Sequence, residues 1–415
     1  MKSQRAVITG MGAITPLGSS IDLFWNGLTN GVSGVRKITQ FDASEFPCQI
    51  AGEIPDFNPD TYLDRKEARR LPRSAQIALA SAIQAVIDAG LPETMPNKER
   101  AAVVYGTALG GIDQIDEGII TLRTQGISRV NPFTIPFGIP NLSSFLIARQ
   151  FQCLGPNSTI VTACATGTQT IGEAAELIRQ GKADVVITGG TESLIKDYSV
   201  AGFCAMRALP LNYNENPQAA SRPFDANREG FILSEGAGAL VVESLEHALL
   251  RGAHIYAEII GHSSTSDAFH IAQPDPEAEG AIRTMRWALA DAELAPTEID
   301  YINAHGTSTP LNDSTETKAI KTVFGEHAYK LAVSSTKSMI GHAMGASGTL
   351  EAIACVLTIM HGIIHPTINY SNPDPECDLD YVPNHAREQA VRYTLSNSFG
   401  LGGQNACLIL KKFEK

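Results

Sequence analysis

The sequence predicts an α/β protein with buried sheets, and three observations carry that prediction. Short apolar runs of strand character alternate with helical patterns from one end of the chain to the other. Apolar residues make up 43% of the 415 residues and charged residues only 18%, enough for a large core and too few charges for a coiled coil or a disordered chain. The two halves also echo each other. In each, a strand runs into a short loop with a reactive residue and then into an apolar-faced helix.

The strand candidates, in order, are Arg5–Thr9, Ala101–Tyr105, Thr159–Val161, Asp184–Thr188, Ala239–Glu243, Asp300–Asn303 and Leu331–Ser334. Between the first two, Leu79, Ile83, Val86 and Ile87 have the spacing of one helix face, with Gly90 as the stop. In the first half STIVTACATG leads into Ile171, Ala175 and Ile178. In the second, LAVSSTKSMIGHAMG leads into Leu350, Ile353, Ala354 and Leu357. This echo predicts a duplicated unit, 1–253 and 254–415, consistent with a chain long enough for two or three units of roughly 150 residues.

Composition excludes several functions. With 32 basic against 44 acidic side chains the net charge is −12, which disfavours bulk attraction to nucleic acid or to an anionic membrane. The seven cysteines are scattered, odd in number and free of any CxxC pair, so reduced thiols are expected. MKSQRAVITGMG enters a strand without a signal-peptide core, and no run of about 18 apolar residues is evident, so no membrane span is expected. The expected compartment is cytoplasmic.

Cys164 is the first candidate for chemistry. It follows an apolar strand and precedes Ala165, Thr166 and Gly167, where a helix begins. A thiol at a helix N-terminus is expected to have a lowered pKa, and small neighbours let a carbonyl approach, the logic of a nucleophile elbow. An inert core cysteine is the competing reading. His305 in NAHGTSTPLND and His342 in KSMIGHAMGASG both follow strands, in loops rich in Gly, Ser and Thr. Nothing resembles HExxH or a Cys/His ligand cluster, so no metal is expected. VITGMGAITPLG has Thr15 in place of the third glycine of a dinucleotide fingerprint, and GLGGQN at 400–405 has no helix after it, so neither reads as an NAD loop.

Taken together, these motifs resemble the β-ketoacyl synthase family over essentially the whole chain. VTACATG is similar to the family's nucleophile motif, SRPFDANREGFILSEGAG to its mid-chain signature, NAHGTSTPLND and KSMIGHAMGASG to its two histidine motifs, and NSFGLGGQN to its closing loop. The resemblance implies a thiolase-like fold, duplicated βαβ halves in an α-β-α-β-α layered sandwich, usually a homodimer. It implies that Cys164 takes an acyl group from the phosphopantetheine of an acyl carrier protein. His305 and His342 then stabilise the enolate formed as a malonyl thioester loses CO2. The N–H groups of Cys164 and Leu401 supply an oxyanion hole, and Lys337 and Glu351 support His342. Thr307 and Thr309 hold the pantetheine arm, Leu109 lines the acyl pocket, and Phe399 and Leu401 lie in the loop over the nucleophile. Asp313, Glu316 and Glu235 match structural positions. Lys66, Arg69, Arg70 and Arg207 match carrier-docking positions, with Arg123 and Arg129 as further candidates. No bound cofactor is implied, since the substrates travel on the carrier protein.

Departures from the family pattern are equally specific. Leu401 replaces the phenylalanine gate common in elongating synthases, and Ala165, Thr166 and Gln404 are atypical. They raise the alternative of a specialised type II polyketide or secondary-metabolite ketosynthase, or of a heterodimer with a chain-length factor. A non-catalytic chain-length subunit usually lacks the nucleophile, whereas Cys164 is present. Degradative thiolases and chain-initiating synthases use a different third catalytic group, against which KSMIGHAMG argues.

Overall fold

The computed structural model describes residues 4–414; Met1–Ser3 and Lys415, at the outer ends of the two expected units, lie outside the described residues. Ten strands form one mixed sheet: β1 (Ala6–Ile14), β2 (Ala101–Gly106), β3 (Asn157–Ile160), β4 (Val185–Glu192), β5 (Gly236–Ser244), β6 (Ala257–Ser266), β7 (Tyr301–Asn303), β8 (Ala332–Ser334), β9 (Tyr393–Gly400) and β10 (Gln404–Lys412). Their spatial order is β8-β7-β9-β10-β6-β1-β5-β4-β2-β3.

That order repeats a five-strand arrangement about the β1–β6 seam. From the seam outward, β1-β5-β4-β2-β3 is matched by β6-β10-β9-β7-β8. Pairing senses match as well: the two contacts nearest the seam in each set are antiparallel, and the two outer contacts are parallel. The seam itself is short, Ala6–Ile8 against Ala257–Ile259.

Five layers result. Helices α1 (Thr166–Arg179) and α2 (Ser347–His361) lie side by side between the two strand sets and pack on both. Their inward residues Ile171, Ala175, Ile178, Leu350, Ile353 and Leu357 join strand residues such as Val104, Val242, Leu408 and Leu410 in one core. The helix Arg73–Asp88 covers the outer face of the first set, and Glu279–Asp291 covers the second. α2 is so uniformly buried that Met344–His361 reaches the length and hydropathy of a membrane span, contrary to the expectation of no such run. It is 89% buried inside the protein, which accounts for its composition.

Other expectations shift in detail. Thr159–Val161 becomes Asn157–Ile160, a half-exposed edge strand, and β1 runs on to Ile14. Ile87 does not join the buried face of its helix but is 71% exposed, because the last turn packs on β1 through Ala85, with Asp88 accepting from the Met11 N–H, and Ile87 lies on the opposite side. β6, β9 and β10 were not anticipated; serine, threonine, asparagine and histidine residues break the apolar pattern of a buried strand in β6 and β9, whereas β10 has the apolar run ACLIL.

Candidate active site

Four connections that follow strands converge at one end of the layered core. The chain leaves β3 through a turn at Ala163–Ala165 and enters α1, leaving Cys164 buried in the turn. Ala163 has φ +49°, a left-handed conformation costly for alanine and suited to a sharp elbow. His305 follows β7, His342 precedes α2, and the hairpin joining β9 to β10 carries Phe399–Gly403. The sulfur of Cys164 and one nitrogen from each histidine all lie within 4.8 Å of one another. All three residues line a cavity of about 600 Å³ that also reaches Thr307, Thr309, Phe399 and Leu401.

Gly400 shows how tightly the hairpin presses on the nucleophile. A Cβ there would stand 2.7 Å from the Thr162 carbonyl oxygen and 3.3 Å from the Cys164 nitrogen, so only glycine admits the approach. The next residue, Leu401, directs its backbone N–H at the Cys164 sulfur.

Each histidine is held from its far side. Lys337, itself buried, donates to the His305 carbonyl oxygen at 2.7 Å and lies 3.5 Å from His305 Nδ1. An ammonium can only donate, so Nδ1 accepts and Nε2 carries the hydrogen. The second partner of Lys337 is Glu351, in a fully buried ion pair, so the pair holds His305 and not, as the resemblance implied, His342, whose ring is held by Ser347. Glu316 accepts from the His305 and Gly306 N–H groups, both at 2.8 Å. His342 Nδ1 lies 2.9 Å from Ser347 Oγ, and its Nε2 is buried with no protein partner. Burial holds both imidazoles well below the usual histidine range, and the Lys337 ammonium lowers them further, so both are neutral near pH 7.

The thiol behaves differently from the sequence-based expectation. Burial pushes Cys164 up to about 11, and the Leu401 N–H and the Lys337 charge only partly offset it. Desolvation is the largest contribution and decides the direction. The resting nucleophile is a neutral thiol.

The remaining candidates divide. Thr307 and Thr309 share a 2.9 Å hydroxyl contact at the cavity wall, and Thr309 also caps the helix Pro310–Phe324. Glu235 is tied to Arg73, and Asp313 accepts from the Phe224 and Ser308 N–H groups, as structural roles require. Arg207 lines the cavity mouth, whereas Lys66, Arg69 and Arg70 are exposed but away from its lining, as are Arg123 and Arg129. Leu109 is not among the residues that line the cavity and is 43% exposed.

Sequence reading missed several neighbours. The Met344 sulfur lies 3.9 Å from Cys164 Sγ, and Phe231 packs edge-on against His342. Asp267 accepts from Asn405 at 2.6 Å and pairs by backbone with Gly403, bracing the hairpin. Met344 and Phe231 sit inside motifs already singled out, but the loop of Asp267 has no pattern to mark it.

A buried cysteine facing two neutral, donor-bearing imidazoles at the floor of a cavity, on a thiolase-like fold, defines the class of condensing acyltransferases. Residues 3–248 match the model of the β-ketoacyl synthase N-terminal domain, and residues 256–371 that of its C-terminal domain. The chain is 48% identical over 414 residues to 3-oxoacyl-[acyl-carrier-protein] synthase 2 of Synechocystis sp., spanning 100% of this chain and 99% of that protein. The ishigamide ketosynthase/chain length factor superposes with a TM-score of 0.93 at 38% identity, covering 99% of this chain and 100% of that one. A ketosynthase bound to a hexaketide, in complex with a type II polyketide acyl-carrier protein, gives 0.91 at 34% identity, with coverage of 99% and 100%. The chain belongs to the β-ketoacyl synthase family, and it is a ketosynthase, an acyltransferase.

Proposed function

We propose that the chain catalyses the 3-oxoacyl-[acyl-carrier-protein] synthase reaction, condensing malonyl carrier protein with a Cys164-bound acyl chain in fatty acid elongation. The observation that carries this reading is the convergence of Cys164, His305 and His342 within 4.8 Å at the cavity floor. The Cys164 sulfur attacks the acyl thioester carbon while its proton passes to the departing pantetheine sulfur. The Leu401 and Cys164 N–H groups hold the tetrahedral oxyanion. Malonyl thioester then loses CO2, and the electron pair of the broken bond becomes an enolate. Nε2–H groups on His305 and His342 stabilise its oxygen, a charge present only as the reaction proceeds. The enolate carbon attacks the acyl-cysteine carbonyl carbon, the C–S bond breaks, and the departing thiolate takes a proton from solvent.

Lys337 and Glu351 keep the His305 donor tautomer, and Thr307 and Thr309 receive the pantetheine arm. Exposed Lys66, Arg69, Arg70 and Arg207 offer docking charges for an acidic carrier protein. The edge strand β3 and exposed Ile119, Ile127, Phe133 and Ile135 support a homodimer. A cytoplasmic setting, no bound cofactor and units divided near residue 253 complete the proposal.

Intact-mass spectrometry with acyl carrier proteins bearing a range of chains tests it. A single adduct on Cys164, discharged by malonyl carrier protein to a 3-ketoacyl product, is the expected result; no adduct with any chain overturns it. The specialised polyketide reading rests on Leu401, 38% exposed at the hairpin where an aromatic gate is common. On that reading Leu401→Phe narrows acyl preference, by about tenfold between chains differing in bulk. Unchanged kinetics across the panel remove it.

A further inference from the structure

Glu192, the last residue of β4, is fully buried and takes no part in the chemistry proposed above. Its Oε2 accepts from the Ala108 N–H at 2.6 Å and the Gly345 N–H at 3.2 Å. Its Oε1 accepts from the Thr107 hydroxyl at 3.0 Å and the Leu109 N–H at 3.4 Å. Glu316, beside His305, also has only neutral donors, whereas Glu235, Glu243 and Glu351 have cations in Arg73, Arg251 and Lys337. Among the described residues Glu192 has none, and its partners are all neutral donors. Burial accordingly raises it to about 7. A carboxyl kept in so costly a place, where a neutral side chain would be cheaper to bury, marks a position at which its geometry matters.

That geometry joins two segments beside the nucleophile. Ala108 packs at the edge of the apolar cluster that holds Cys164, Leu194, Phe231 and Met344. Gly345 follows Met344, whose sulfur touches Cys164, and lies three residues after His342. One carboxylate therefore spans the wall beside the sulfur and the turn that carries the histidine's neighbours.

We propose that Glu192 is a positioning residue for acyl selection: its carboxylate clamps residues 107–109 to the 344–346 turn and so fixes Ala108 and Met344, the apolar wall beside the sulfur against which the Cys164-bound chain lies. This rests on the acyl-transfer reading of Cys164.

The test compares Glu192→Gln with the unaltered enzyme for loading of short, medium and long saturated acyl carrier proteins, and for the pH profile of Cys164 alkylation by iodoacetamide. Glutamine keeps the size but turns an amide N–H₂ toward N–H donors. Selectivity between the best and worst chains is expected to fall about tenfold, with kcat/KM changing unevenly along the panel. The alkylation profile is expected to move to lower pH, because a negative charge near the thiol is gone while Lys337 and Glu351, the other charges acting on it, stay. Thr107→Val, which removes one donor and leaves the carboxylate, is expected to give a smaller selectivity loss with an unmoved alkylation profile, and it decides the matter if Glu192→Gln does not fold. A uniform drop across chains with an unmoved alkylation profile in Glu192→Gln, or wild-type selectivity in Thr107→Val when the glutamine variant does not fold, overturns the proposal. Wild-type enzyme that loads no chain overturns the acyl-transfer reading beneath it, whereas loading with unchanged variant selectivity sinks the clamp alone.

Discussion

The turns that open α1 and α2 are one structure used for two purposes. Ala163–Ala165 and Met344–Ala346 are both single helical turns entered by a left-handed residue, Ala163 at φ +49° and Met344 at φ +41°. They stand next to each other at the centre of the molecule. In the middle of the first is Cys164, facing the cavity; in the middle of the second is Gly345, where a Cβ would meet the Ala108 nitrogen at 2.5 Å. The first helical hydroxyls diverge too. Thr166 accepts from the Thr162 N–H at 2.9 Å and closes its own turn, whereas Ser347 turns to the His342 ring. The fold supplies an elbow twice, and the side chains decide that one elbow carries the nucleophile while the other carries a histidine and packs closely.

Four substitutions break or sharpen that contrast. The largest effect belongs to Cys164→Ala, which removes the thiol that lines the cavity. No covalent acyl adduct is expected by mass spectrometry, and a persisting adduct contradicts the assignment. His342→Ala is next: acylation persists while condensation falls by about 10²–10⁴-fold, the span of a lost proton or oxyanion donor, read by single-turnover discharge. Normal turnover would exclude the role. Gly345→Ala forces a methyl group into a packed turn and is expected to cost about 1–3 kcal/mol in a denaturant titration. An unchanged midpoint would mean that the second turn is not tightly packed. The smallest effect is that of Ser347→Ala. It frees the His342 ring at a cost of about 1 kcal/mol in condensation, with loading untouched. Equal losses in both steps would show that the serine serves the turn rather than the histidine.

Much of this was legible in advance because the chemistry sits at junctions. Cys164, His305 and His342 each lie where an apolar strand meets a run of small residues, and such loops announce themselves against the core around them. Glu192 did not, since a lone glutamate ending TGGTE looks like a surface residue until the 107–109 loop folds over it. The lowered thiol pKa failed for a related reason: sequence reveals the helix start but not the depth of burial, and burial decided the sign. Likewise β6 escaped notice because its polar residues are paired with neighbours distant in the chain, as Ser263 is with the Thr284 carbonyl.

By itself the sequence determined the alternation of elements, the echo between halves and the residues able to do chemistry, since these follow from local periodicity and from side-chain identity. Only the tertiary structure decided the β1–β6 seam, the order of ten strands, the neutral state of the thiol and both imidazoles, and the clamp at Glu192. Those depend on contacts between segments far apart in the chain and on the loss of solvent when they meet, and no local pattern encodes either.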